Sequence, residues 1–323
     1  MENLNTKIVS EVIKQSPGHK NPVHYLMKIL SISRETVYRR IRNEIPFSIN
    51  EVAAIAEYFN LSIDQLLDLK SSNRFPFSKE FDAERNPEDV YSDLLKDDIE
   101  IMEKLRDSSR MKITAVMNRI PFRFLPYPAL FKFDYYQYLY SAGKISLMST
   151  RFSDIEIPAA INDLHEKASS YLNCLNHVTC VIDSVLYTNI IKKIQFYRRL
   201  RFLSVEDLQI LQKELFDLLV AYEDLLRNGK NNAGSDYVFY YSFFTLESNM
   251  IFIEYDDNTL LQIWIYPESP LVIKNNQQVN DIQKHWIDSK IRNSMLITKT
   301  ADIQQIEMLR DVYRQISELG SYE

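Results

Sequence analysis

Residues 26–67 read LMKILSISRETVYRRIRNEIPFSINEVAAIAEYFNLSIDQLL. This stretch decides the fold of the N-terminal part. Val23, Leu26, Met27 and Leu30 repeat at i, i+3, i+4 and i+7, which is one apolar helical face. Ser31-Ile32-Ser33 breaks the pattern, and Ser33 is placed to cap a further helix over Arg34–Asn43. On that helix only Val37 and Ile41 share an inward side. Arg34, Glu35, Tyr38, Arg39 and Arg42 fall on the opposite arc at about 100° per residue. So narrow an apolar stripe beside so much arginine is poorly explained by packing alone. It fits an outer face that meets a polyanion.

Working outward, Pro46-Phe47 and Ser48 open a fourth helix with Val52, Ile55, Ala56 and Phe59 inward. Asn60-Leu61-Ser62 closes it, and Ser62 caps a short fifth helix, Ile63–Leu69. Upstream, Leu4, Ile8 and Val12 give Leu4–Gln15 an amphipathic pattern that Ser16-Pro17-Gly18 ends. Asn21 and Pro22 suit the cap and first turn of the helix that follows. The charge is asymmetric. Residues 1–70 carry 9 Lys/Arg and 8 Asp/Glu, while the whole chain has a net charge of −6. Six basic residues and one acidic residue, Glu35, lie within Lys20–Arg42. A local basic stretch of this kind places an electrostatic footprint for nucleic acid inside an acidic protein.

The quoted stretch resembles the phage-repressor-like (Xre/Cro-type) helix-turn-helix domain. Leu26, Leu30, Ile32, Val37 and Ile41 stand at that family's buried positions, Ser33 at the cap of its recognition helix, and the tail 49–67 follows its usual ending. Met27 stands where a small Ala is usual, and Ser31 where the turn usually has Gly. The resemblance implies a five-helix lambda-repressor-like domain and major-groove reading of double-stranded DNA. It assigns base edges to Arg34, Glu35 and Arg39: arginine pairs with guanine O6/N7, and Glu35 accepts from cytosine N4. Ser33, Thr36, Tyr38, Arg40 and Arg42, with His24 and Lys28 on the second helix, are expected to meet phosphates or thymine methyls and to position the domain.

The expected organisation is a helix-turn-helix domain over 1–69, a polar linker over 70–86 and a regulatory or dimerisation domain over 87–323. Asn86-Pro87-Glu88-Asp89 opens a long helix. Its apolar residues, from Val90 through Leu94, Ile101 and Leu105 to Ile113 and Val116, carry it toward Ile120. Dimer support and an ordinary core helix are equal readings of it. Residues 87–230 read as helical: Phe131–Ser141, Pro158–Asn173, Val178–Phe202, and Val205–Asn228 between Ser204 and Gly229. Residues 231–323 read as α+β. Tyr237–Thr245, Met250–Tyr255 and Thr259–Tyr266 are β-branched and aromatic, with a turn at Asp256-Asp257-Asn258. The expectation is a mainly α chain with a small antiparallel sheet of three or four strands near the C-terminus. Helices around 276–292 and 301–319 and a strand near 294–298 would pack on it. NRIPFRF (118–124), FYRRLRFLS (196–204) and DSKIRNSMLIT (288–298) are similar to uncharacterised helix-turn-helix regulators with a long, mostly helical partner domain. Lys299-Thr300-Ala301 departs from the Ser-Gly-Glu expected there.

With 46% hydrophobic and 25% charged residues the chain is globular in composition. The N-terminus has no apolar segment of signal type, and no run reaches the ~18 apolar residues of a membrane span. Two cysteines make no disulfide framework, so the expected compartment is the cytoplasm. Cys174, His177 and Cys180 are spaced C-x2-H-x2-C, but on a helix their directions diverge, so neither a metal nor another cofactor is expected. The aromatic run at Phe131–Tyr140 reads as core rather than the lining of a ligand pocket. No Walker A, GxGxxG, GxSxG or HExxH motif occurs, and the five histidines are scattered. The reading is a DNA-binding transcriptional regulator, not an enzyme, acting as a homodimer with an unidentified small-molecule or protein effector. The alternative is a protein-interaction module built on the same scaffold.

Overall fold

The computed structural model describes residues 4–15, 22–59, 63, 85–146, 149–264, 270–300 and 303–320. The chain divides into two compact units, Met1–Pro76 and Phe77–Glu323. Among the described residues of the first, four helices, α1 (Leu4–Gln15), α2 (Pro22–Leu30), α3 (Arg34–Ile41) and α4 (Ile49–Tyr58), enclose one core. Ile8, Val12, Val23, Leu26, Val37, Phe47, Val52, Ile55 and Ala56 form it. Leu30, Ile32 and Ile41 pack half-buried against it. The expected caps at Ser16–Gly18 and Asn21, the fifth helix beyond Ile63 and most of the linker lie outside the described residues. Ser31 holds φ 52°, the left-handed conformation for which glycine is usual.

The second unit departs from the expected helical block. Helix α5 (Pro87–Arg106) begins as the sequence indicates, with Asn86 capping Glu88. It stops at Arg106 instead of running to Ile120, because Met111–Met117 is strand β1. Tyr91, Leu94, Leu95, Ile99 and Leu105 are buried, so α5 is a core helix. Then follow α6 (Pro128–Ser141), α7 (Ala159–Ser170), β2 (Val178–Asp183), α8 (Val185–Arg199) and α9 (Val205–Asn228). The expected helix over Val178–Phe202 is therefore a strand followed by a shorter helix. The C-terminal third carries β3 (Tyr237–Ser242), β4 (Met250–Tyr255), β5 (Asn258–Trp264), β6 (Pro270–Lys274), α10 (Gln277–Arg292), β7 (Ser294–Leu296) and α11 (Ile303–Ser317).

The small antiparallel sheet is thus corrected to a seven-stranded mixed sheet in the order β6-β5-β4-β1-β2-β3-β7. β1, β2 and β3 run parallel, with Ile113 opposite Val178 and Val178 opposite Tyr237. β4 joins the other side of β1 antiparallel, Met111 opposite Tyr255. Strands from the region read as helical supply the centre of the sheet, so the division at residue 230 disappears.

Alternation along the strands assigns the two faces. Ile113, Ala115, Cys180, Ile182, Phe239 and Ile253 join the large core with residues of α5, α6, α8, α9 and α11. Val116, Val181, Phe252, Leu261 and Ile273 point the other way and pack with Ile287 of α10. The aromatic run on α6 is core, as expected: Phe131, Phe133, Tyr135 and Tyr136 are fully buried. Each such side chain contributes roughly 1.5–3 kcal/mol through area removed from water. Helix α9 starts in a Ser204–Asp207 capping box and ends at Gly229, φ 63°. A Cβ on Gly229 would stand 2.5 Å from Lys299 Cε.

His165 lies flat on Phe131, with ring centroids 3.7 Å apart, and its Nε2 is 2.9 Å from the Leu125 carbonyl. Burial lowers its pKa, outweighing backbone hydrogen bonds that favour the charged form. A histidine with a depressed folded pKa binds fewer protons folded than unfolded. Stability is therefore complete above the unfolded value of about 6.5 and falls as pH drops below it. Thermal unfolding of the wild type between pH 7 and pH 5 should lose more than that of His165→Gln. Parallel profiles would remove His165 as the source.

Candidate nucleic-acid interface

The geometry of α3 starts at its cap. Ser33 Oγ accepts from the Thr36 amide at 3.3 Å and lies 2.9 Å from Thr36 Oγ1. This satisfies one of the orphan amides of the first turn and fixes where the helix begins. Val37 is the buried anchor of α3, and Ile41 is half-buried behind it. Arg34 and Glu35 are exposed, and the Arg39 and Arg42 side chains keep 50% and 61% of their surface. Arg34 lies over the Tyr38 ring at 5.6 Å and donates to its hydroxyl at 3.3 Å. The outward arc contains the side chains that the helical spacing placed there. On α2, His24 and Lys28 are exposed, and the Lys28 ammonium sits 5.8 Å over the Tyr58 ring.

Arg40 differs from its expected place among the phosphate contacts. Its side chain is only 12% exposed and pairs with Glu51 at 2.6 Å. The same guanidinium donates to the Pro46 carbonyl and lies over Phe47. Its position in α3 turns it toward α4, so it braces the two helices. Glu51 has two tasks. One carboxylate oxygen takes Arg40, and the other accepts from the Ser48 amide at 2.7 Å, closing a capping box on α4.

Two residues outside the sequence-based set shape this surface. Asn5 is 3% exposed on α1. It donates to the carbonyls of Arg40 at 2.9 Å and Ile45 at 2.7 Å, and accepts from the Phe47 amide at 3.1 Å. It thereby holds the turn between α3 and α4. Its signal was legible: three before Ile8 and seven before Val12, it is a polar residue on the apolar stripe of α1. Glu44 follows Asn43, whose φ is 63°, and its amide bonds the Arg39 carbonyl at 2.8 Å. Its carboxylate reaches Arg42 Nε at 2.9 Å and Arg39 Nε at 3.5 Å. No local sequence pattern marks that meeting, because the left-handed Asn43 produces it.

Residues 6–114 match the BetR domain family. That family is a DNA-binding domain of helix-turn-helix type, consistent with α2 and α3 as the motif. The BetR match covers about a third of the chain and runs past the first unit through α5 into β1. The remainder of the second unit, with most of the sheet, lies beyond the BetR match. No curated protein and no solved structure matches the chain.

Elsewhere, Cys174 ends a 3-10 turn, His177 sits at φ 53° in the next loop and Cys180 is in β2. Among the described residues no three His, Cys, Asp or Glu side chains are grouped to hold a metal. A cavity of about 20 Å³ lies at the end of β2 beside α8, α9 and α11, lined by Asp183, Tyr187 and Tyr222 among others. That is room for about one water, whereas small-molecule sites run to ~300–1,000 Å³. No described helix is long and apolar enough to cross a membrane.

Proposed function

We propose that the chain is a sequence-specific DNA-binding transcriptional regulator of Xre/Cro type, with α3 entering the major groove. The observation that carries this reading is the Ser33-capped α3 with Arg34, Glu35 and Arg39 exposed together on its outer arc, within the span matched by the BetR domain. Arg39 and Arg34 read guanine edges, and Glu35 reads cytosine N4. Arg42, Tyr38, Lys28 and His24 supply the phosphate-facing rim, and Ser33 and Thr36 fix the start of the helix. Arg40 has no place in that rim, since Glu51 and Phe47 occupy it. The chain acts without catalytic chemistry of its own, in the cytoplasm, and its second unit pairs two copies so that each reads a half-site. Exposed Ile282 and Trp286, one turn apart on α10, support a protein-facing role for that unit.

The test is selection from random duplex DNA, then fluorescence anisotropy across a salt series with wild type, Arg39→Ala and Arg40→Ala. One enriched motif is expected, with two half-sites about 10 bp apart if two copies bind. Arg39→Ala should relax one base pair by ~1–3 kcal/mol. Arg40→Ala should instead lower the stability of the first unit and leave base preference unchanged. Equal binding to every duplex, with no enriched motif, would defeat the reading.

A further inference from the structure

Glu44 is an acidic residue beside two of the exposed arginines of the candidate interface, Arg39 and Arg42. It is no stray side chain. The Asn43 turn and the Glu44 amide bond to Arg39 fix its backbone, and Asn5 anchors the following residue, Ile45. Its carboxylate spans Arg39 and Arg42 and is itself 46% exposed. An exposed ion pair adds little to stability, so folding alone gives no account of so defined an arrangement.

We infer that Glu44 is a specificity-determining residue that suppresses sequence-independent binding to DNA; this rests on the DNA-reading function proposed above. The contacts to both arginines are made at Nε. Arg39 is the more loosely held of the two, at 3.5 Å against 2.9 Å for Arg42, and its Nη groups can fork onto guanine O6 and N7. A guanine contact therefore survives the pairing. A phosphate contact is penalised, because the carboxylate beside Arg42 offsets part of its positive charge and repels the phosphate backbone. The sequence-independent part of binding is electrostatic and comes from counterions released by unpaired cations. Glu44 lowers that part and spares base readout, so the ratio between cognate and random DNA rises.

The experiment compares wild type, Glu44→Gln and Glu44→Asp by anisotropy on the selected duplex and on a random duplex, across a salt series. Glu44→Gln is expected to tighten the random duplex about five- to tenfold near 0.1 M salt, by freeing roughly one cation for phosphate. Its slope of log K against log salt should steepen by about 0.9. Binding to the selected duplex should change less, so the ratio falls. Glu44→Asp should behave as wild type, and thermal midpoints should stay level across the three. An unchanged ratio and slope in Glu44→Gln, with a wild type that selects its site, overturns the role of Glu44 alone. A wild type that prefers no duplex overturns the DNA reading and the role of Glu44 together.

Discussion

Asn5→Ala is expected to remove about 3–4 kcal/mol from the first unit and to lower DNA affinity more than tenfold, although Asn5 lies on α1 and not on α3. The Asn5 amide satisfies the Arg40 and Ile45 carbonyls and the Phe47 amide, and Phe47 is itself buried. The Arg40 carbonyl keeps the Asn43 amide at 3.0 Å, so the loss falls on the Ile45 carbonyl and the Phe47 amide, and each buried polar group left without a partner costs about 1–3 kcal/mol. A unit of about 70 residues holds roughly 4–10 kcal/mol in total, so this single change consumes much of it. The turn it releases also orients Arg39 and Glu44, hence the loss of binding. Hydrogen exchange on the full chain would show faster exchange of α3 and α4 amides, with α5 to α11 unchanged. Asn5→Asp, which keeps the acceptor for Phe47 but turns a carboxylate oxygen onto the Arg40 and Ile45 carbonyls, should lose at least as much. Wild-type exchange and affinity in Asn5→Ala would show that the turn stands without this anchor.

A second large effect is expected where a full charge is buried. Arg123, in the 3-10 turn after β1, pairs with Asp98 of α5 at 3.0 Å, and both side chains are about 5% exposed. The guanidinium also lies 5.4 Å from the Phe124 ring centre and 5.7 Å from that of Trp264. Asp98→Ala would take the paired carboxylate from that buried cation and should destabilise the second unit by about 3–5 kcal/mol. Asp98→Leu combined with Arg123→Met should recover most of the loss, because two apolar side chains of similar volume need no compensation. Urea denaturation followed by tryptophan emission reads both. A single variant as stable as wild type, or a double variant as unstable as the single, would show that the pair does not act as a unit.

The first unit was legible because its helices are short, capped and one-sided. Ser33 and Ser48 stop and restart the chain, and Val37 and Ile41 on the inner side of α3 leave Arg34, Arg39 and Arg42 outward. The second unit was misread where strands are buried on both faces. Val178–Asp183 shows no sustained polar alternation and Met111–Met117 shows it only at Lys112 and Thr114, while Ile113 and Val116 fall at helical spacing from Leu105 and extend α5 on paper. The better signal was Asp107-Ser108-Ser109, a polar break before a β-branched run. The hairpin strands β4 and β5 are buried on both faces as well, but they were found because Asp256-Asp257-Asn258 marks their turn. In the candidate interface, the outward arc of α3 followed from spacing alone. The inward turn of Arg40 did not, since Glu51 and Phe47, which hold it, arrive from the next helix.

The place of β1 at the heart of the sheet also sets an order of events in synthesis. Met111 pairs with Tyr255, so one of its two neighbouring strands is made about 140 residues later. At ~5–20 residues per second a ribosome needs roughly 7–30 s to supply it. Through that interval the helix-turn-helix segment has emerged whole, while a nascent β1 waits with an open hydrogen-bonding edge. Pairing across so long a separation is slow and leaves the chain exposed to aggregation meanwhile. A fragment cut at residue 114, where the family match ends, would keep that edge open permanently and invite aggregation.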